Sequence, residues 1–273
     1  MPSALVTPGR LHAELGRVVV LDVQYNLVGT PGSELYAAEH LPGARFVDLD
    51  TDLAGPPGDN GRHPLPEPAA VGAALRRCGV DAGSRVVVYD ERTSLSAARA
   101  WFVLRLVGCA DVRVLDGGLA AWRAAGLPTT TEVPQPEPGS FTTGEGVGEV
   151  LDADGAGRLA SDGVLLDSRA AERFRGEVEP IDPVAGHVPG AVNAPMADYL
   201  DADGRFLPPD ALRAYFADRG IRPGTPVGTS CGSGVTAAHT ALALHEVGIE
   251  AGVYVGSWSE WVSDPRRPVA RGR

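Results

Sequence analysis

The strongest constraint on this 273-residue chain is a pattern that its sequence contains twice. The first half reads VVLDVQYNL from Val19 and HLPGARFVDLD from His40, and the second half reads VLLDSRAAERF from Val164 and HVPGAVNAPM from His187. Further along, VVVYDE corresponds to VGTSCG, and VLDGGLAAW corresponds to VYVGSWSEW. Four landmarks in the same order, at nearly one offset, predict a duplicated domain.

The stretch between the two copies predicts a linker. It reads LPTTTEVPQPEPGSFTTGEG and is rich in proline, threonine and glycine, a composition typical of an extended surface segment. We therefore expect an N-terminal domain over residues 1–128, a linker over 129–147 and a C-terminal domain over 148–273.

Each copy alternates short valine-rich runs with helical patterns. RVVVLD, RVVVYD and VRVLDG are flanked by turn residues and predict strands that are buried on both faces, whereas AARAWFVLRLVG and LAAWRAAG predict helices. This alternation predicts an α/β fold of two tandem domains, each a parallel sheet with helices on both faces. Such sheets bind ligands at the carboxyl ends of their strands.

Charge and composition exclude several functional classes. The formal net charge is −11 and no basic stripe is present, so we expect no nucleic acid partner. All 24 cationic side chains are arginine, and the absence of lysine excludes Schiff-base, pyridoxal-phosphate and Walker A chemistry. No ligand spacing for a metal and no apolar run of about 18 residues is present. We expect a cytoplasmic enzyme with no membrane contact, no metal and no cofactor.

One cysteine lies where a parallel sheet places its chemistry. Cys231 follows the predicted strand PVGTS and precedes a predicted helix, and Gly232 and Gly234 allow the intervening loop unusual backbone angles. Backbone N–H groups and a helix N-terminus could then stabilise a thiolate. A small buried side chain is the alternative interpretation. Cys78 and Cys109 have no such loop, and we expect them to fill space.

The matched position in the first copy is Asp90, in DERTSL, where the Gly-x-Gly pattern is missing. One copy therefore retains the thiol loop and the other has a degenerate version. This asymmetry is typical of a duplicated domain in which a single copy keeps the site.

On these motifs, both halves resemble rhodanese domains. From Val19 to Trp261 the chain resembles a tandem-domain sulfurtransferase of the 3-mercaptopyruvate and thiosulfate sulfurtransferase family, with an inactive N-terminal copy and an active C-terminal one. The resemblance rests on HLPGA, HVPGA, DSRAAERFRGE, CGSGVT and GSWSEW. In this family the loop CGSGVT is associated with 3-mercaptopyruvate, whereas thiosulfate enzymes usually carry basic residues directly after the cysteine. Cysteine phosphatases share the loop geometry, but they need an arginine where this chain has Ala237.

The resemblance implies a persulfide on Cys231 and a proton relay beside it. The relay would consist of Ser233 together with His63 and Asp50 from the N-terminal domain, and it would protonate the departing pyruvate enolate. Thiosulfate needs no such proton, because sulfite leaves unaided.

For the donor's carboxylate, the resemblance assigns Arg173 in DSRAAERF. A second family arginine matches Asp182 instead, in EPIDP, and Arg175 is the candidate to replace it. The other substrate-binding positions implied by the resemblance are Tyr25, Gly232, Gly234, Val235, Thr236 and Trp258. We expect His40 and His187 to be structural, and Trp122 and Trp261 to lie in the core.

The sequence therefore predicts a sulfurtransferase that uses a small anionic donor, 3-mercaptopyruvate. Its acceptor would be cyanide or a thiol, such as that of a thioredoxin-like protein. Two alternatives remain open. One is a thiosulfate:cyanide sulfurtransferase, favoured by the missing second arginine, and the other is a persulfide carrier without a preferred small donor.

Overall fold

The two copies of the pattern fold into two domains with the same sheet topology. The computed structural model describes residues 2–272. The first sheet consists of β1 Leu5–Val6, β2 Val19–Asp22, β3 Arg45–Phe46, β4 Arg85–Tyr89 and β5 Asp111–Leu115. The second consists of β6 Val150–Leu151, β7 Val164–Asp167, β8 Val192–Asn193, β9 Val227–Ser230 and β10 Gly252–Tyr254. The strand orders are β1-β5-β4-β2-β3 and β6-β10-β9-β7-β8, and every pairing is parallel.

Helices connect the strands in both domains. The N-terminal domain has α1 Pro8–Glu14, α2 Gly32–Ala38, α3 Leu49–Asp52, α4 Pro68–Arg77, α5 Leu95–Leu106 and α6 Gly118–Ala124. The C-terminal domain has α7 Ala153–Asp162, α8 Ala171–Phe174, a 3₁₀ helix Met196–Tyr199, α9 Pro209–Asp218, α10 Val235–Glu246 and α11 Ser257–Trp261. Among residues 2–272, no helix is both long and apolar enough to cross a bilayer.

Each sheet is covered on both faces, which explains its continuous apolar strands. In β4, Val86 and Val88 face one layer while Val87 faces the other, where Trp122 of α6 is fully buried. In the C-terminal domain, Trp261 of α11 packs in the corresponding layer. The prediction of parallel sheets with helices on both faces is confirmed, and both tryptophans lie in the core.

The two histidines that precede Pro-Gly turns have matching environments. His40 Nδ1 lies 2.7 Å from the Tyr36 carbonyl oxygen, and its ring stacks on Tyr36. His187 Nδ1 lies 2.7 Å from the Phe174 carbonyl oxygen, and its ring stacks on Phe174. Both rings are buried, so they fix the chain that follows the first helix after β2 and β7.

The domains share one hydrophobic core. Helices α5 and α10 occupy equivalent positions in the two domains and make the largest helix–helix contact of the molecule. Apolar residues of both helices belong to a single buried cluster. The segment after α6 runs along the N-terminal domain, where Phe141 is buried and the Phe141 N–H donates to the Val80 carbonyl.

Candidate active site

A cleft of about 610 Å³ opens at the carboxyl ends of the strands, between the two domains. Cys231 and Ser233 line it together with Arg173, all from the C-terminal domain. The N-terminal domain contributes Tyr25 and His63. The cleft lies at the edge of the sheet where the sequence predicts a site, and the second domain completes its wall.

The Cys231 sulfur sits in a backbone nest at the start of α10. The N–H groups of Ser233 and Gly234 point at Sγ, with N···S distances of 3.4 and 3.1 Å. The twelve-residue helix α10 begins at the next residue, so its positive end also lies behind the sulfur. Cys231 is only 2% exposed. A negative charge on this sulfur has hydrogen-bond donors already in place.

The loop is also fixed from behind by the segment that begins α11. The Cys231 N–H donates to Ser257 Oγ at 3.0 Å, and the Trp258 N–H donates to the Cys231 carbonyl at 3.0 Å. The Ser259 N–H donates to the Gly232 carbonyl at 2.9 Å. The motif GSWSEW thus holds the thiol loop in position.

Gly234 is required by both its conformation and its surroundings. Its φ is +81°, in the left-handed region, and a Cβ there would lie 2.3 Å from the Val255 carbonyl oxygen. Another residue could not occupy this position without moving the backbone at Val255, which follows β10. The Gly234 N–H serves the sulfur, so the structure assigns this glycine to the nest rather than to the substrate wall.

The other two cysteines have different surroundings. Cys78 and Cys109 are buried among apolar side chains, and burial raises the pKa of each thiol to about 11. Neither thiol is deprotonated at neutral pH. All three cysteines are free thiols.

A chain of hydrogen bonds crosses the domain boundary beside the sulfur. Ser233 Oγ lies 2.8 Å from His63 Nδ1, although 170 residues separate them in the sequence. His63 Nε2 lies 3.3 Å from Asp50 Oδ1 and 3.3 Å from the Tyr25 hydroxyl. The structure therefore brings together the three proposed relay residues, and Tyr25 joins them.

His63, in the middle of these hydrogen bonds, is neutral at physiological pH. Burial, together with the charges of Arg99 and Arg62, lowers the pKa of His63 to about 4. At the outer end, burial and the neighbouring charge of Asp48 raise the pKa of Asp50, and the hydrogen bond from Tyr25 acts in the opposite direction. The Asp50 side chain is 59% exposed, so this end of the chain can exchange protons with solvent.

Two guanidinium groups face the thiol loop. Arg173 Nη2 donates to Glu179 at 2.6 Å and to Asp182 at 3.4 Å. Arg62 Nη1 donates to the same Asp182 carboxylate at 2.7 Å. Asp182, which stands where the family has an arginine, is therefore the shared partner of two arginines. Sequence reasoning missed Arg62, whose only signal was its position next to His63.

Besides that of Gly234, two sequence-based assignments need correction. Arg175 lies outside the cleft, where its side chain is 39% exposed and pairs with Glu177 at 2.7 Å. The reason is that residues two apart on a helical turn point about 160° apart, so Arg173 and Arg175 face nearly opposite sides of α8. Trp258 is 1% exposed and packs in the core behind the loop. Its indole N–H donates to the Val184 carbonyl, so it supports the loop and does not line the cleft. Of the other implied positions, Gly232, Val235 and Thr236 do line it.

The corresponding loop of the N-terminal domain is occupied by a carboxyl group. Asp90 is buried, and its carboxylate accepts the backbone N–H groups of Ser94, Ser96 and Ala97 at 3.0–3.2 Å. Burial raises the pKa of this carboxyl, and these hydrogen bonds lower it. The side chain of Asp90 thus fills the nest that the second domain leaves for the sulfur.

Comparison with known proteins assigns both halves of the chain to one family. A model of the rhodanese-like domain matches residues 7–125 and again 149–264. A Mycobacterium tuberculosis protein that carries the name thiosulfate sulfurtransferase SseB is 48% identical over 263 residues, covering 93% of this chain and 91% of that protein. A Pseudomonas aeruginosa protein that carries the name 3-mercaptopyruvate sulfurtransferase is 47% identical over 284 residues and covers 100% of both chains.

A solved structure shows the same architecture. The crystal structure of SseA from Escherichia coli, described as a 3-mercaptopyruvate sulfotransferase with the rhodanese fold, superposes with a TM-score of 0.82. It shares 31% sequence identity, and the alignment covers 95% of this chain and 100% of SseA. The match extends over both domains.

Proposed function

Since the chain belongs to the rhodanese-like family, we propose that it is a sulfurtransferase that moves sulfur from 3-mercaptopyruvate through a persulfide on Cys231. One observation carries the proposal: the Cys231 sulfur receives two backbone N–H groups beside a Ser233–His63 hydrogen bond of 2.8 Å. The first arrangement stabilises a nucleophilic thiolate, and the second can protonate a leaving group.

The first half-reaction forms one bond and breaks one. The Cys231 thiolate attacks the thiol sulfur of the donor, an S–S bond forms, and the bond between that sulfur and carbon 3 breaks. The electron pair of the broken bond goes to pyruvate as its enolate. The nest then surrounds a persulfide, with the outer sulfur in the cleft.

The enolate needs a proton at carbon, and the hydrogen-bonded chain has the composition to deliver it. With the ring hydrogen on Nδ1, His63 donates to Ser233 Oγ, and the serine turns its own hydrogen toward the cleft. His63 Nε2 then accepts from the Tyr25 hydroxyl or recovers a proton through Asp50. Each residue passes one proton, and the exposed carboxyl of Asp50 connects the chain to solvent.

In the second half-reaction an acceptor thiolate or cyanide takes the outer sulfur, and the Cys231 thiolate is the leaving group. We propose a thiol acceptor, either a small molecule or a thioredoxin-like protein. The three free cysteines support a reducing compartment such as the cytoplasm.

Thiosulfate is the second candidate donor, favoured by the Mycobacterium tuberculosis relative. The two donors place different demands on the relay, because sulfite leaves without protonation.

Steady-state kinetics with the two donors side by side test the proposal. We expect a higher kcat/KM for 3-mercaptopyruvate, and we expect Cys231→Ser to abolish transfer from both donors. Cys78→Ser and Cys109→Ser are the matched controls and should retain activity. Mass spectrometry after incubation with donor should find the added sulfur on the peptide that contains Cys231.

Three results would change this conclusion. Persulfide on Cys78 or Cys109 would refute the assignment of the nucleophile. A higher kcat/KM for thiosulfate would replace the donor. A persulfide that forms only in the presence of a partner desulfurase would identify a carrier.

A further inference from the structure

Arg62 reaches the cleft from a segment that is fixed on the opposite domain. Gly61 has a φ of +98°, and a Cβ there would lie 2.8 Å from the Gly256 carbonyl oxygen. The Arg62 N–H donates to Ser259 Oγ at 3.0 Å. This segment therefore presses against α11 and the residue before it, so the backbone of Arg62 has a defined position relative to the thiol loop.

The guanidinium of Arg62 is held by a buried carboxylate. Arg62 Nη1 donates to Asp182 Oδ1 at 2.7 Å, and Arg173 Nη2 lies 3.4 Å from Asp182 Oδ2. The Asp182 side chain is 3% exposed, whereas that of Arg62 is 24% exposed and that of Arg173 is 18% exposed. The carboxylate is behind the two arginines, and their exposed parts line the cleft.

Both guanidiniums point at the residue after the nucleophile. A Cβ on Gly232 would lie 3.3 Å from Arg62 Nη2 and 3.8 Å from Arg173 Nη2. Unlike Gly234, Gly232 does not have a positive φ. A side chain at position 232 would therefore extend toward the two arginines, and its absence leaves room beside them.

We propose that Arg62 binds the anionic group of the sulfur donor together with Arg173, and that Asp182 positions both arginines. This inference rests on the proposed function and deepens it. One arm of the anion site comes from each domain, so the donor is bound across the domain boundary. Residues 62 and 63 then give the N-terminal domain two tasks on one segment, binding the donor's anionic group and handling its proton.

This site would bind an anion through N–H groups that point toward it, and not through an excess of positive charge. Arg62 and Arg173 are balanced by Asp182 and Glu179, yet Arg173 Nη1 donates no hydrogen bond within residues 2–272. Arg62 Nε is buried and has no partner among the described residues. Arg62 Nη2 lies 3.5 Å from Asp182 Oδ2, so this nitrogen, like Arg173 Nη1, has donor capacity left for an anion in the cleft. A carboxylate close to the sulfur of the donor could accept from both arginines.

The test is Arg62→Gln, which removes the charge and keeps most of the side-chain volume. We expect KM for 3-mercaptopyruvate to rise about 10–100-fold, the range for a lost hydrogen bond to a charged group, while kcat changes less than about threefold. The rate of Cys231 modification by a neutral aromatic disulfide should stay within about threefold of the unaltered protein, because that reagent needs no anion site.

The matched control is Arg105→Gln. Arg105 is also an N-terminal-domain arginine that pairs with a C-terminal-domain carboxylate, Glu250 at 3.7 Å, but it lies outside the cleft. We expect its KM to equal that of the unaltered protein. A further variant, Arg62→Asp with Asp182→Arg, exchanges the partners, and it should lower KM relative to Arg62→Asp alone, because a guanidinium returns to the site.

Two outcomes overturn the inference while leaving the proposed function intact. An unchanged KM in Arg62→Gln, with only a lower melting temperature, would make Arg62 an interdomain ion pair. An equal slowing of donor turnover and of the neutral disulfide reaction would make it a support for the thiol loop.

Failure of the proposed function gives a different pattern, namely no turnover of either donor by the unaltered protein. Titration with pyruvate by calorimetry then decides the role of Arg62. Binding that weakens about 10–100-fold in Arg62→Gln upholds the anion site. Equal binding by both proteins, or no binding to the unaltered protein, overturns it.

Discussion

At the scale of single residues, the site depends on partners that are far apart in the sequence. Ser233 is 9% exposed and has its hydroxyl fixed by His63. Burial lowers the pKa of His63 to about 4. Ser233 therefore hydrogen-bonds to an uncharged ring throughout the physiological pH range. An uncharged ring can both accept and donate a proton, as a relay requires.

Ser233→Ala tests whether the serine carries a proton. We expect turnover of 3-mercaptopyruvate to fall about 10²–10⁴-fold, the usual contribution of general acid–base assistance. Any thiosulfate turnover should fall less than about threefold, because sulfite leaves unprotonated. The measurement is kcat/KM for both donors on both proteins. Equal slowing of the two donors would reduce the serine to a part of the loop's shape.

The charged residues show where sequence reasoning reached its limit. Arg173 lines the cleft, as the family resemblance implies, and its role there stays a prediction. Arg175 was misplaced because the sequence does not reveal that α8 has one turn and ends at Phe174. Arg62 could not be found, since its position depends on how its loop docks on the other domain. The pairing of His63 with Ser233 came from family resemblance and could not have come from spacing.

At the scale of secondary-structure elements, the thiol loop depends on the junction between β9 and α10. The loop N–H groups converge on the sulfur because Gly234 adopts a left-handed conformation and packs against Val255, the residue after β10. The sequence predicted this junction well, since a strand, a Gly-x-Gly pattern and an alanine-rich helix are all local signals. The packing of α11 behind the loop is a long-range contact, and the sequence did not specify it.

Gly234→Ala should disrupt this junction. The left-handed conformation alone costs about 1–2 kcal/mol for a residue with a Cβ, and the new Cβ would also lie 2.3 Å from the Val255 carbonyl oxygen. We expect a loss of more than about 3 kcal/mol in the free energy of unfolding, or a displaced loop with little activity.

Gly248→Ala is the matched control for this prediction. Gly248 has a similar φ of +85°, and a Cβ there meets nothing within 4 Å. It should show the conformational cost alone, with turnover unchanged. Denaturant unfolding and donor kinetics on both variants separate the two contributions. Equal destabilisation by both variants would mean that the Val255 contact is relieved at no cost.

At the scale of the whole molecule, the domains are joined by α5 and α10, which place buried polar residues at matching positions. Arg99 of α5 is fully buried and donates to the carbonyls of Leu53, His63 and Pro64. His239 of α10 is also fully buried, and its Nε2 lies 2.9 Å from the Thr93 carbonyl oxygen. Each helix therefore holds a loop of the N-terminal domain beside the cleft.

The junction at His239 should depend on pH. Burial lowers the pKa of His239 from 6.5 to about 3. Below pH 6.5, His239 binds a proton in the unfolded chain but not in the folded chain. The contribution of His239 to stability is therefore lost as the pH falls from 6.5 toward 3. Asp22 and Asp116 act in the opposite direction, since burial raises the pKa of each to about 6.

A comparison with His239→Gln isolates this contribution from that of the carboxyls. At pH 8 the variant should be less stable by about 1–3 kcal/mol, through its lost hydrogen bonds. That difference should shrink by about 1 kcal/mol per pH unit below 6.5. Thermal or denaturant unfolding from pH 8 to pH 4 provides the measurement, with His12→Gln, at an exposed position, as the control. Parallel stability curves would show that His239 becomes protonated without cost.

The loop of the first domain that Asp90 fills also supports a helix of the second domain. The Asp90 carboxyl group occupies its own loop, and that same loop presents the Thr93 carbonyl to His239 of α10. Helix α10 begins at the cysteine loop, where a sulfur atom is gained and lost in every proposed cycle. The first domain therefore supports the helix that begins at the proposed nucleophile. Loss of that support should displace the thiol loop even though no atom of the Asp90 loop would touch the donor.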